Sequence, residues 1–222
     1  MTTDQTGLRA AGAWLAAASI LLALALIFHG PLHPDPEVQM MHIAKTASRW
    51  AAVHWTAAAA LSCFAVAAIL VLVSHSRLTA TRMTISAWAV VLVGSLWTLA
   101  TAVTEVTVIA DLAEAGNLAQ FEPWWSFAQG YGNGFALLGV AVAAIAWSEY
   151  RNPNRIVPKW SAISGTGAGL ASFAGWALGV WFDIGPANLM WLLASGLMCL
   201  WLAWLGTVLA RSGDFNAAAE PG

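Results

Sequence analysis

Four of the five histidines in this 222-residue chain, His29, His33, His42 and His54, fall in one stretch, HGPLHPDPEVQMMHIAKTASRWAAVHW, between two apolar segments. Imidazole is a common metal ligand and the side chain that most readily exchanges a proton near neutral pH. His33 and His42, with Met40 and Met41 beside them, form an outer group whose thioether and imidazole donors suit copper. His29 and His54 form a deeper pair that could hold copper or zinc, or act as axial ligands to haem b. Each has a plainer reading. His29 precedes Gly30-Pro31, a helix stop, where a histidine can simply cap the carbonyl end; methionine also fills interfacial helices. On a helix running unbroken from residue 36, His42 and His54 stand about 18 Å apart and cannot share one ion, the exception being a break near Thr46 to Ser48, which the sequence does not demand.

A carboxylate supplies the partner. Glu105 lies in an apolar segment on one helical face with Thr101, Thr98 and Gly94, and a charge at membrane depth demands pairing, protonation or water. The face is therefore expected to point inward, towards His54, with either a structural Glu–His bond or proton or ligand chemistry as its use. Glu122, Ser126, Gln129 and Asn133 recur at spacings of four, three and four, a second polar stripe if the helix is regular. Together His54, Glu105, Thr98, Thr101, Glu122, Ser126, Gln129 and Asn133 are expected to line a polar cavity.

The elements that must position these residues are hydrophobic helices. The chain is 59% hydrophobic and 9% charged, which points to a protein solvated by lipid. Six segments carry the roughly 20 apolar residues that a spanning helix needs. The expectation is an all-α polytopic membrane protein, a single transmembrane domain over 1–222, with helices near 8–29, 36–75, 83–111, 122–149, 159–183 and 188–211. The first segment is read as retained, since no small-residue cleavage site follows it. Arg9, Arg77, Arg82, Arg151, Arg155, Lys159 and Arg211 collect at one pole against Lys45 and Arg49 at the other. The positive-inside rule then makes both termini cytoplasmic and the histidine stretch external, and the expected location is the cytoplasmic membrane of a prokaryote.

A net charge of −2 and no basic run exclude nucleic acid as a partner. Cys63 and Cys199 sit in apolar segments and read as buried hydrophobes. The tryptophans fit interfacial belts, with Trp50, Trp124, Trp125, Trp181 and Trp191 at the outer one; Trp97, Trp176 and Trp201 lie deeper, in the core or walling a pocket. Gly165, Gly169, Ser172, Gly175 and Gly179 form a small-residue face for another helix, within the chain, in a second copy or in a partner membrane subunit. The last segment, with little polarity, is expected at the periphery. Three functions remain: a metal- or haem-binding, possibly redox, membrane module; a small-solute or proton-coupled transporter, which lacks an evident repeat or broken-helix pair; and an accessory subunit of a membrane complex.

Overall fold

The computed structural model describes residues 3–30, 32–33, 35–74, 76–131 and 133–211. Pro31 of the helix stop, Gly132 and His75, at the arginine end of the second segment, lie outside them. Among the described residues the chain is all-helical, without strands. Four of the described helices are long and apolar enough, by length and composition, to cross a membrane: Thr6–His29, Ala47–Val73, Arg82–Glu114 and Gly185–Arg211.

Helix α1 (Thr3–His29) turns Leu8, Ala11, Leu15, Ala18, Leu22 and Leu26 inward as one stripe at three- and four-residue spacing. It ends at Gly30, whose φ of 76° is the left-handed cap expected there. Helix α2 (Pro36–Lys45) starts as its sequence dictates: the Asp35 carboxylate accepts the backbone N–H groups of Glu37 and Val38, and Pro36 holds the first position.

The helix expected over 36–75 is in fact two. Thr46 leaves helical geometry (φ −122°, ψ 23°) and closes α2 with its N–H and hydroxyl on the His42 carbonyl before α3 (Ala47–Val73) begins. The short α2 thus packs against α5 (Ala110–Glu114) and α6 (Leu118–Ser126) instead of projecting from α3. Met40, Ile43, Trp50, Ile109, Phe121 and Trp125 form a separate apolar cap there.

Helix α4 (Arg82–Thr104) passes into a π-helical turn, Glu105–Ile109, ahead of α5. The expected helix over 122–149 is also interrupted. Helix α6 ends in a second π-turn, Phe127–Tyr131, and α7 (Phe135–Arg151) restarts after residues 133 and 134, where the Asn133 side chain accepts the Phe135 N–H at 2.8 Å. Gly134 belongs there because a Cβ would stand 2.8 Å from that of Trp97. Helix α8 (Lys159–Trp176) runs into a third π-turn, Ala177–Trp181, before α9 (Gly185–Arg211).

α1 packs on α3 and α9, α3 on α4, α4 on α7, α7 on α8, and α8 on α9. The long helices thereby enclose a core running from Leu8 to Leu209. Helix α9 is an integral wall, not the peripheral element expected from its lack of polarity. Small residues suffice: a Cβ on Gly12 would come within 2.6 Å of the Gly206 carbonyl, and one on Gly206 within 2.6 Å of Ala16 N. The small-residue face of α8 is likewise occupied within the chain. Gly169 meets Gly139 and Ala143 of α7, Gly165 and Gly175 lie against Trp201 and Trp191 of α9, Gly179 meets Asn188, and Ser172 bonds Ser195 at 2.8 Å. At the arginine pole, buried Glu149 accepts the Ile156 N–H at 2.6 Å and faces Arg77 at 3.9 Å, fastening the turn after α7.

Candidate metal centre

His29 closes α1, His54 sits two turns into α3, and Glu105 opens the π-turn that follows α4. Packing of α3 against both α1 and α4 brings them together, and one ligand atom from each lies within 4.8 Å of the others. His54 is 4% exposed and Glu105 5%; His54 Nε2 pairs directly with the Glu105 carboxylate. A buried carboxylate that meets a histidine in this way meets the demand that its sequence position set.

The ring orientations decide what the histidines can do. His54 Nδ1 is 2.8 Å from the Trp50 carbonyl oxygen, and His29 Nδ1 is 3.0 Å from that of Gly30. A carbonyl only accepts, so both Nδ1 atoms carry hydrogen and each neutral ring keeps its lone pair on Nε2, that of His54 meeting the Glu105 carboxylate. Backbone-anchored N–H with a free opposite nitrogen is the usual posture of a metal-binding histidine. Without a cation, the contact between the Nε2 lone pair and a carboxylate oxygen requires one shared proton. A metal ion can replace that proton.

Trp50 braces the group from both sides. Its carbonyl holds His54, and its indole N–H donates to the Glu105 main-chain carbonyl at 3.1 Å. Its ring lies 4.2 Å from that of His54 and 5.3 Å from that of His29. Assigned by sequence to the interfacial belt, Trp50 is buried; its place four residues before His54 on one helix was the signal available.

Beside the triad lies a cavity of about 70 Å³, reached by Thr98, Thr101, Gln129, Asn133, Trp176 and Trp191. The Thr98 and Thr101 hydroxyls donate to the carbonyls of Gly94 and Thr98, so they have only lone pairs left to offer. One water needs about 10–15 Å³ of such space, so the cavity admits a few. It has no room for a porphyrin, and His29 and His54 are in edge contact at 5.2 Å, so the residues do not fit haem. Towards the arginine pole, Phe64, Trp88, Leu138 and Met198 close the core around a void of only about 10 Å³.

Other expected site residues lie elsewhere. Glu122 and Ser126 are exposed, because α6 belongs to the cap and the π-turn after it breaks the register that would align them with Gln129 and Asn133. The outer group of His33, His42, Met40 and Met41 does not assemble either. Met40 is buried in the cap while Met41 is exposed; His42 Nε2 accepts from Arg49 at 3.1 Å, and His33 Nδ1 accepts the Asp35 N–H.

A vestibule of about 450 Å³ opens between the end of α1, the π-turns at 127–131 and 177–181, and the start of α9; Leu32, Gln129 and Trp191 line both it and the inner cavity. His33 lines it too; its remaining polar residues, Asn188 and Asp183, went unnoticed as site residues, since nothing in their spacing connects them to the histidines. No protein-family model matches this chain, and no curated protein or solved structure proved similar to it. The chemistry of the cluster is therefore the guide to function.

Proposed function

We propose that this chain is an integral membrane protein in which all six long helices cross the bilayer and His29, His54 and Glu105 bind one divalent transition-metal ion. Two imidazole nitrogens and a carboxylate oxygen suit Zn²⁺ or Fe²⁺, with a coordination position left open towards the cavity. The observation that carries this reading is the convergence of the three ligand atoms, with both Nδ1 atoms anchored on backbone carbonyls. Copper(I) has less support, since the methionines stand apart.

Apolar side chains exposed on every long helix favour six spans: Ile27, Trp55, Val93, Val140, Leu170 and Leu200 come one from each. Helix α7, at 17 residues, is about 26 Å long and needs the preceding π-turn to reach across roughly 30 Å of hydrocarbon. The arginine-rich pole is assigned to the cytoplasm, with both termini, in a prokaryotic cytoplasmic membrane.

Metal analysis of protein purified without chelators tests the site. About one equivalent of zinc or iron is expected, lost in His54→Ala and His29→Ala but kept in His42→Ala. Equal metal content in all four proteins, or none in any, overturns the proposal. A second reading, solute transport, draws support from the break between α6 and α7 beside Gln129 and Asn133, since interrupted helices line transporter sites. Uptake by proteoliposomes that persists in a metal-free variant would favour it. An accessory role has less support, because the small-residue faces already pack within the chain.

A further inference from the structure

Both cavities meet at Leu32, Gln129 and Trp191, so a molecule in the wide one can present an atom to the narrow one. Their linings differ. The inner cavity offers the open side of the His29–His54–Glu105 cluster together with threonine and amide groups. The vestibule offers Leu32, Val180, Leu189, Leu192 and the indoles of Trp125 and Trp191, with Gln129 at the throat and Asn188 on the wall. A volume of about 450 Å³ falls in the range of small-molecule sites, which are mostly apolar with a few polar groups that fix orientation. Among the described residues its wall carries one acid, Asp183, exposed at the rim with φ 53°, one histidine, His33, whose Nδ1 accepts the Asp35 N–H, and no Lys or Arg; an uncharged ligand matches that better than an anionic one. The three π-turns all adjoin this path, starting at Glu105, containing Gln129 and containing Gly179, and such turns recur at functional sites.

We infer that the vestibule binds an uncharged small molecule with an apolar body and one oxygen-bearing head, and that the head passes between Leu32, Gln129 and Trp191 to the open position of the ion. The inference rests on the proposed metal site for its inner half only. The vestibule walls hold the apolar body, and Gln129 orients the head. The site is thus an open, substrate-binding centre rather than a structural one.

Cobalt-loaded full-length protein in nanodiscs, titrated with acetohydroxamic and hexanohydroxamic acids while the visible Co²⁺ bands are followed, tests this. The longer chain should bind roughly two-hundredfold tighter if its four extra methylenes are fully buried. Gly185 lines the vestibule, and a Cβ there meets nothing within 4 Å, so Gly185→Trp should fill the space without disturbing the fold. It should erase the chain-length advantage and leave cobalt content and acetohydroxamate affinity unchanged. Equal affinities in the parent protein, or an advantage that survives Gly185→Trp, overturns the inference. Equilibrium dialysis of labelled hexanohydroxamate against metal-free protein separates the two proposals. If cobalt does not bind, the metal reading fails; weaker binding sensitive to Gly185→Trp still supports the vestibule, and none at all refutes it.

Discussion

Glu105→Ala and Glu105→Gln should differ sharply, because the difference isolates the buried contact with His54. In the parent protein His54 Nδ1 donates to the Trp50 carbonyl while Nε2 meets the Glu105 carboxylate. Alanine leaves the Nε2 acceptor buried with no partner, at a cost of about 1–3 kcal/mol. Loss of the side-chain methylenes removes a further ~1–2 kcal/mol of burial and packing. A total near 3 kcal/mol is expected. Glutamine keeps the volume, and its amide can donate to Nε2 of the neutral ring, so only the charge-assisted part of the contact is lost, about 1 kcal/mol. The gap between the two is therefore about 2 kcal/mol, roughly a thirtyfold difference in the folding constant. Unfolding of metal-free protein by increasing SDS in mixed micelles, followed by near-UV circular dichroism, measures it. Costs for alanine and glutamine that agree within about 0.5 kcal/mol would refute the buried pair and the tautomer argument built on it.

Loading metal-free protein with Zn²⁺ near neutral pH should release about one proton per ion, the one shared by His54 and Glu105; calorimetry in buffers of different ionisation enthalpy counts it, and zero release would refute the shared proton. Gly206→Val should destabilise by about 1–3 kcal/mol or more, since its side chain would run into the backbone at Ala16 and Gly12, whereas Gly167→Ala, with nothing within 4 Å, should be nearly neutral. The same SDS titration compares them, and equal effects would refute the close α1–α9 approach. For orientation, Asn117→Cys should react with an impermeant thiol reagent on intact cells and Asn154→Cys should not, in a background lacking Cys63 and Cys199; the reverse would invert the topology.

Local chemistry made much of the architecture legible. Apolar length marked the long helices, Asp35-Pro36 the start of α2, and Gly30 the end of α1, because caps and spans depend on a few adjacent residues. The inward face of Glu105, Thr101, Thr98 and Gly94 followed from helical spacing and the cost of a carboxylate in lipid, and all four are buried. His29, His54 and Glu105 were each marked as candidates for the same reason: an ionisable group among apolar neighbours stands out.

What sequence spacing did not contain was any departure from the regular helix. The break at Thr46 folds α2 over the site, and the π-turn at 127–131 parts Gln129 and Asn133 from Glu122 and Ser126, since one altered turn shifts the angular register of everything beyond it. Pairing of α1 with α9, and of α8 with both α7 and α9, rests on glycines and alanines whose fit depends on their partners. Trp50 reads as an interfacial anchor in isolation and becomes the brace between His54 and Glu105 only when α3 and α4 meet. The residues able to bind an ion were thus visible one by one along the chain. Their meeting within 4.8 Å, and the vestibule beside them, are decided by contacts between distant helices, because a helix reports its own periodicity and not which neighbour it faces.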